Sequence, residues 1–180
     1  MMRLSRFYFV AIFCFLCCSA LADEFLVSLG TGSQPGSNQH NDQFAVDYTF
    51  YSHDRSERSR ISLGVGYTKL RSDTASNDEI DIISIYPQLT LTPVKLLSRN
   101  WYFFVRALGP SYISSNALGD RKQDNHFTFQ AQAGFGYSKS LDQNTDLLIQ
   151  VSWKHFSNAN LFKDNDGIDV PLNLAIGLRF

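Results

Sequence analysis

The last nine residues of the chain, 172–180, read LNLAIGLRF and alternate between two kinds of side chain. One face of an extended chain would carry the large apolar residues Leu172, Leu174, Ile176, Leu178 and the terminal Phe180. The opposite face would carry Asn173, Ala175, Gly177 and Arg179. Because successive side chains of a β-strand point to opposite sides, this period of two predicts a strand with an apolar face and a small, mostly polar face.

The same alternation recurs upstream in segments that polar loops separate. Counting them predicts eight strands, at 24–32, 43–51, 61–70, 79–92, 100–113, 126–138, 146–158 and 169–180. A soluble β-sandwich would alternate in the same way, but three features favour a membrane barrel. Strands of about 9–11 residues match a tilted bilayer crossing, the small polar side suits a narrow interior, and the last strand ends in an aromatic residue on its apolar face. The predicted fold is therefore all-β, an eight-stranded antiparallel transmembrane β-barrel of the bacterial outer membrane.

The even number of strands fixes the side on which each loop lies. Both chain termini lie on one side of the membrane, which is the periplasm for such barrels. The extracellular loops would then be 33–42, 71–78, 114–125 and 159–168. The periplasmic turns would be 52–60, 93–99 and 139–145.

The composition is compatible with this fold. A chain of 180 residues provides one domain and no second core. Aromatic residues make up 14% of the chain, yet the mean hydropathy is slightly negative, as expected of strands that alternate between lipid and water. A net charge of −1 without a basic block argues against a nucleic-acid partner.

Residues 1–22 are predicted to be a secretory signal peptide. Two arginines give a positively charged N-terminal region, and the apolar stretch 7–18 follows it. The Ala-Leu-Ala sequence at 20–22 provides a cleavage site. The apolar stretch is short for a membrane-spanning helix. All three cysteines lie in this segment, so the mature barrel chain, 23–180, would hold no disulfide, no thiolate zinc site and no cysteine nucleophile.

The seventh predicted strand carries two reactive side chains near its end. Its odd-numbered residues up to Trp153 form the apolar, lipid-facing side, and the same count places His155 and Ser157 on that side. Residues i and i+2 of a strand lie about 6.5–7 Å apart along the chain, so an imidazole can reach a hydroxyl as a general base reaches its nucleophile. The alternative is that both residues simply occupy the interfacial belt, where polar groups meet headgroups and water.

The sequence around this pair resembles that of the PagL-type lipid A 3-O-deacylase family. The resemblance lies in one block, HFSNANL at 155–161 followed by NDGID at 165–169, together with the barrel pattern. Proteins of this family are eight-stranded outer-membrane barrels that hydrolyse an acyl ester of lipid A with a Ser-His-Glu triad. The resemblance therefore implies the same fold and a site on the outer wall.

By position, the resemblance implies Ser157 as the nucleophile and His155 as the general base. It also implies that Asn158 positions the site and that backbone amides around Ser157 and Asn160 donate to the oxyanion. The third member departs from the family, because Asp169 stands where the family has Glu. The shorter acid can still orient an imidazole if the backbone comes closer.

The alternation itself places Asp169 on the wrong side for this role. Directly opposed residues of an antiparallel pair share a face, so the outward odd residues of the seventh strand pair with outward even residues of the eighth. Asp169 reaches the outer face only if one extra residue is absorbed before Leu172. We therefore predict a bulge or an irregular strand start at Val170-Pro171, where proline is tolerated. Without it, the next candidates for the acid would be two loop residues, Asp164 and Asp166.

These features together predict an outer-membrane serine carboxylic-ester hydrolase. It would remove the 3-O-linked 3-hydroxyacyl chain from lipid A of lipopolysaccharide within the outer-membrane lipid, with no metal and no cofactor. Two alternatives stay open: a non-catalytic small barrel serving envelope integrity or adhesion, and a phospholipase or acyltransferase barrel. Homodimers occur in the resembled family, so the resemblance leaves a homodimer open.

Three basic residues are predicted to point into the barrel. Lys154, Arg106 and Arg179 fall on the inward side of their strands. We expect them to pair with Asp47, Asp81 or other carboxylates of the interior, because an unpaired charge in a narrow barrel is costly.

Overall fold

The computed structural model describes residues 24–93 and 100–180. The predicted signal peptide, 1–22, lies outside the described residues, as does most of the predicted turn 93–99. The described chain forms ten strands: β1 (Glu24–Ser33), β2 (His40–Ser56), β3 (Ser59–Ser72), β4 (Glu79–Leu91), β5 (Trp101–Ile113), β6 (Ala117–Leu118), β7 (Arg121–Lys122), β8 (Phe127–Ser140), β9 (Asp146–Ser157) and β10 (Ile168–Arg179). No helix within the described residues is long and apolar enough to cross a membrane.

The eight long strands form one closed barrel, in the order β1-β10-β9-β8-β5-β4-β3-β2. All neighbours are antiparallel, and β1 closes the barrel on β10 with pairs from Glu24↔Arg179 to Thr31↔Leu172. Residue 24 and the C-terminus therefore lie at one end, the terminal end. The loops that follow β1, β3, β5 and β9 lie at the other end, the loop end. The predicted eight-stranded antiparallel barrel is confirmed.

Two local elements differ from the prediction. β2 and β3 continue through most of the predicted turn 52–60, so that only residues 57 and 58 connect them. Their extension is polar and is held by pairing and by an ion pair between Arg60 and Asp54 at 2.6 Å, so the apolar alternation ends before the strands do. The loop 114–125 contains the short β6–β7 hairpin, whose two-residue strands are too short to show a period.

The outer wall is apolar along its middle. Large side chains such as Ile83, Phe135 and Leu174 are more than half exposed, at 60%, 61% and 56%. An apolar surface of this extent is unfavourable in water and matches contact with lipid. The predicted lipid faces of β9 and β10 are confirmed by the exposure of Ile149, Val151, Trp153, Leu172, Leu174 and Ile176.

The interior is filled, and it is less polar than the sequence predicted. Buried apolar side chains pack together at the loop end, where they are Leu70, Ile80, Ile82, Ile113, Leu118, Phe156, Ile168 and Val170. A second cluster packs at the terminal end and consists of Leu26, Tyr102, Phe104, Leu148 and Ala175. β4 and β5 place large side chains in the interior, and glycines on β3 and β8 leave space for them. A Cβ added at Gly64, for example, would lie 2.5 Å from the ring of Tyr86.

A polar layer separates the two apolar clusters. Arg106 is buried there and donates from Nη1 to Asp47 Oδ2 at 2.6 Å and from Nε to Gln88 Oε1 at 2.8 Å. Its guanidinium also lies over the ring of Tyr86, 3.9 Å from the centroid. The predicted pairing of Arg106 with Asp47 is confirmed.

Arg179 pairs with another buried carboxylate, that of Glu24, Nη2 to Oε1, at 2.7 Å, as predicted. Lys154 is buried and donates to the hydroxyl of Thr68 at 3.4 Å. It forms no ion pair within the described residues, so the prediction of a carboxylate partner for Lys154 is wrong. The prediction of Asp81 as an interior carboxylate is wrong, because the inward residues of β4 have even numbers. Asp81 lies on the outer face, where it accepts a hydrogen bond from a tyrosine.

Candidate active site on the outer wall

β9 carries its reactive residues where the sequence placed them. Its even residues Lys154 and Phe156 are buried inside the barrel. His155 and Ser157 alternate with them on the outer side, where both are half-buried. They extend the exposed stripe that ends in Trp153 toward the loop end.

A bulge in β10 brings Asp169 to the same side. Asp169 pairs with His155, and the next recorded pair after Val170 joins Asn173 to Ser152. Two residues, Pro171 and Leu172, therefore face the single residue Trp153, and the pairing register shifts at this point. The predicted irregularity is confirmed. Proline fits here because it has no N–H to contribute to the ladder.

His155 and Asp169 are hydrogen-bonded. The distance from His155 Nδ1 to Asp169 Oδ1 is 2.9 Å, which is the contact that an orienting carboxylate makes with a general base. With Nδ1 donating to the carboxylate, Nε2 remains as the acceptor nitrogen. Asp169 is itself largely covered, at 7% exposure.

Two further residues contact the imidazole, and the sequence pattern indicates a role at the site for neither. The ring of Trp153 stacks on that of His155 with centroids 5.4 Å apart and planes inclined by 22°. Trp153 Nε1 also donates to Asp169 Oδ1 at 3.0 Å. Gly167 lies against the imidazole so closely that an added Cβ would overlap Cε1 of His155. The indole of Trp153 thus covers a face of the imidazole, and the backbone of Gly167 lies beside its Cε1 edge.

The carboxylate has a third donor, which comes from the first loop. Gln34 Nε2 donates to Asp169 Oδ2 at 3.0 Å. Gln34 does not stand out in the sequence, since a polar residue in a polar loop carries no signal of its own.

Ser157 ends β9 and pairs with Phe129 of β8. Within the described residues its hydroxyl makes no recorded hydrogen bond, and neither does Nε2 of His155. Ala159 and Asn160, just beyond it, both have left-handed backbone conformations, with φ of 54° and 59°. The main-chain N–H groups of these two residues also lack partners in the described chain.

Asn158 organises the loop that follows. It is fully buried, and its backbone N–H donates to Asn165 Oδ1 at 2.7 Å. Its side-chain Nδ2 donates to the carbonyl of Asp164 at 2.7 Å. Asn165 in turn donates from Nδ2 to Asn160 Oδ1 at 2.8 Å. Because the N–H of Asn158 is already bonded, the N–H groups of Ala159 and Asn160 are the unpartnered amides that follow Ser157 in the described chain.

The β6–β7 hairpin braces the same loop. Asp166 N–H donates to the carbonyl of Lys122 at 2.9 Å, and Arg121 Nε donates to the carbonyl of Gly167 at 3.0 Å. The two alternative acids, Asp164 and Asp166, take part in this docking. Asp166 Oδ2 accepts a hydrogen bond from the backbone N–H of Lys122. The backbone carbonyl of Asp164 accepts one from the backbone N–H of Asp124. Asp169 is the acid that contacts His155. No group of three potential metal ligands occurs within 24–93 and 100–180.

Fold and site together define a class of protein, a small membrane barrel whose lipid-facing wall carries a His-carboxylate pair beside a serine. The sequence profile of the PagL family, described as lipid A 3-O-deacylase, matches residues 42–179 of the chain. This protein belongs to the PagL family.

Two crystal structures share the fold. That of the outer membrane enzyme PagL has a TM-score of 0.59 at 19% sequence identity, covering 84% of this chain and 97% of that chain. That of Neisserial surface protein A (NspA) has a TM-score of 0.53 at 11% identity, covering 87% of this chain and 95% of that chain. No curated protein sequence matches the chain. The architecture is that of an outer-membrane barrel.

Proposed function

We propose that this protein is an outer-membrane esterase that removes the 3-O-linked 3-hydroxyacyl chain from lipid A of lipopolysaccharide. Membership of the PagL family supports the substrate and the hydrolytic reaction. One observation carries the assignment of residues: His155 Nδ1 and Asp169 Oδ1 lie 2.9 Å apart on the outer wall, with Ser157 next along the same face of β9.

The reaction takes place in two acyl transfers. The hydroxyl oxygen of Ser157 attacks the acyl carbonyl carbon while its proton passes to Nε2 of His155. Asp169 holds the Nδ1–H and stabilises the imidazolium that forms. The ester C–O bond then breaks, and the proton passes from Nε2 to the departing sugar oxygen.

Water completes the cycle. His155 takes a proton from water as the water oxygen attacks the acyl carbon, and it returns that proton to Ser157 as the serine ester breaks. The products are a free 3-hydroxy fatty acid and lipid A with one hydroxyl restored. The amides of Ala159 and Asn160 donate to the oxyanion of each tetrahedral intermediate, and Asn158 supports them by fixing the loop.

The placement of the site fits the location of the substrate. With the terminal end in the periplasm, as in other outer-membrane barrels, the loop end reaches the outer leaflet, where lipopolysaccharide lies. Removal of residues 1–22 during export would deliver the chain there. An outward-facing site can act on lipid A directly, without drawing it into the filled interior.

Mass spectrometry of lipid A tests this proposal. Cells that express the protein should lose one 3-hydroxyacyl chain per lipid A, and Ser157→Ala and His155→Ala should abolish the loss. Ser140→Ala, at the terminal end, is the matched control and should behave as wild type. Heat-modifiable electrophoretic mobility would show that each barrel has folded.

Three results would contradict the proposal. An unchanged lipid A profile with folded wild-type protein would support the non-catalytic barrel. Chain loss from glycerophospholipids instead of lipid A would support the phospholipase alternative. Full activity of Ser157→Ala would exclude Ser157 as the nucleophile.

A further inference from the structure

Gln34 contacts the acid of the site from the opposite end of the sequence, 135 positions away. It is only 2% exposed. Its Nε2 donates to Asp169 Oδ2 at 3.0 Å and to the carbonyl of Gly167 at 3.0 Å. Its Oε1 accepts from the backbone N–H of Asp169 at 2.9 Å. One side chain therefore holds both the backbone and the carboxylate of residue 169.

The backbone of Asp169 needs these contacts because its strand partner has ended. The pairing of β1 with β10 stops at Thr31↔Leu172, so Asp169 has no ladder partner on that side. Gln34 accepts from its N–H, and Asn41 donates from Nδ2 to its carbonyl at 2.9 Å. Two side-chain amides thus continue the hydrogen-bonding of the sheet beyond the bulge.

The orientation of the Gln34 amide is fixed by its other partners. Asn41 Nδ2 donates to Gln34 Oε1 at 2.9 Å, and Asn41 Oδ1 accepts from Gln39 at 2.6 Å. Since Oε1 already receives two donors, the oxygen and nitrogen of Gln34 cannot be exchanged without losing both. Nε2 therefore faces the carboxylate of Asp169.

We propose that Gln34 is a positioning residue for the proposed esterase, an inference that rests on the function above. Trp153 and His155 both donate to Oδ1 of Asp169. Gln34 donates to Oδ2, so the rotation of the carboxylate about its Cβ–Cγ bond is restrained at both oxygens. An Asp has one methylene fewer than the Glu of the family, and Gln34 supplies the constraint that presents Oδ1 to His155.

Steady-state kinetics with lipopolysaccharide in detergent micelles test this role in the full-length protein. In Gln34→Met, kcat should fall about tenfold while KM changes less than about twofold, because a hydrogen bond to the orienting charge is lost and no contact with substrate is. Gln143→Met, in the exposed turn after β8, is the matched control and should behave as wild type.

A double mutant separates positioning from a general structural effect. In the Asp169→Ala background, Gln34→Met should cause no further fall in kcat, since Gln34 acts through the missing carboxylate. An equal fall in both backgrounds would overturn the proposal, and so would an unchanged kcat in Gln34→Met.

The histidine ring nitrogens give a readout that does not require activity. Two-bond ¹H–¹⁵N spectra of the detergent-solubilised protein, assigned with His155→Ala, report the tautomer of His155. The Nδ1–H form should dominate in the wild type and Gln143→Met and become mixed in Gln34→Met. If the wild type leaves lipid A intact but the tautomer still responds to Gln34→Met, the proposed function fails and the positioning role stands. A tautomer that does not respond overturns the positioning role.

Discussion

Asp169 and His155 are directly opposed across β10 and β9, and both face the outside of the barrel. Beyond the bulge, the outward residues of β10 are the even-numbered Leu172 and Leu174. Asp169 is outward only because Pro171 and Leu172 together face a single residue of β9. The contact between Asp169 and His155 therefore depends on one surplus residue in the last strand.

The carboxylate of Asp169 should be essential for the rate. Asp169→Asn should lower kcat by about three to four orders of magnitude, since an amide favours the wrong imidazole tautomer. Asp169→Glu keeps the charge and should lose much less. Deacylation of lipopolysaccharide by purified protein measures both, with Asp142→Asn in an exposed turn as the control. Equal activity of the Asn and Glu variants would show that the charge is not needed.

The indole N–H of Trp153 should contribute separately from its ring. Trp153→Phe keeps a ring that can stack on His155 but removes the donor to Asp169 Oδ1, so kcat should fall several-fold, up to about tenfold. Trp153→Ala removes both contacts and should lose more. Trp101→Phe, on the outer face of β5 and equally exposed at 40%, should have no effect. Identical losses in Phe and Ala would assign the whole effect to the hydrogen bond.

Gly167 should tolerate no side chain. A methyl group there would overlap Cε1 of the His155 imidazole, a ring that is already held by the stacked Trp153 and by Asp169. Gly167→Ala should therefore displace the imidazole from Asp169 and reduce kcat by about tenfold or more, because a charge-assisted hydrogen bond is lost. The barrel should still fold. Ser140→Ala, at the exposed terminal end of β8, is the control and should retain the wild-type kcat. Wild-type kinetics in Gly167→Ala would contradict the close packing.

The buried Arg106–Asp47 pair should stabilise the barrel only as a pair. Arg106→Met leaves the carboxylate of Asp47 uncompensated and should lower the free energy of unfolding by about 3–5 kcal/mol. Arg106→Met combined with Asp47→Leu should recover much of that loss. Urea unfolding in phospholipid vesicles measures both variants. A double variant as unstable as Arg106→Met would mean that the charge of Asp47 is not the cause.

The position of the reactive pair and the irregularity in the last strand could both be predicted from the sequence. A period of two leaves no ambiguity about which residues share a face of β9, so His155 and Ser157 followed from Trp153. The same alternation turns odd-numbered residues of the last strand inward, so Asp169 could face outward only if the strand contained an extra residue. The structure has that residue at Pro171. Both predictions depend only on the alternation of side chains between the two faces of a strand, which holds whatever the neighbouring strands are.

Features that depend on distant contacts could not be predicted. The residues of β4 include Ile80, Ile82, Ile83 and Ile85, which are apolar on both faces, so the pattern does not reveal that the even ones fill the interior. Gln34 resembles any solvated loop residue until the barrel closes and brings β1 beside β10. The β6–β7 hairpin is held by its docking against the last loop, which its own sequence does not encode.

The alternation of β9 has a consequence for how lipids are selected. Lys154 and Phe156 are packed into the filled interior on either side of His155, so the outward groups cannot slide along the barrel axis. Lipids in a leaflet diffuse sideways but keep each chemical bond at a nearly constant height. In the proposed esterase, a serine fixed at one height would therefore reach only those esters that lie at that depth. Depth in the leaflet would then select the bond that is cut.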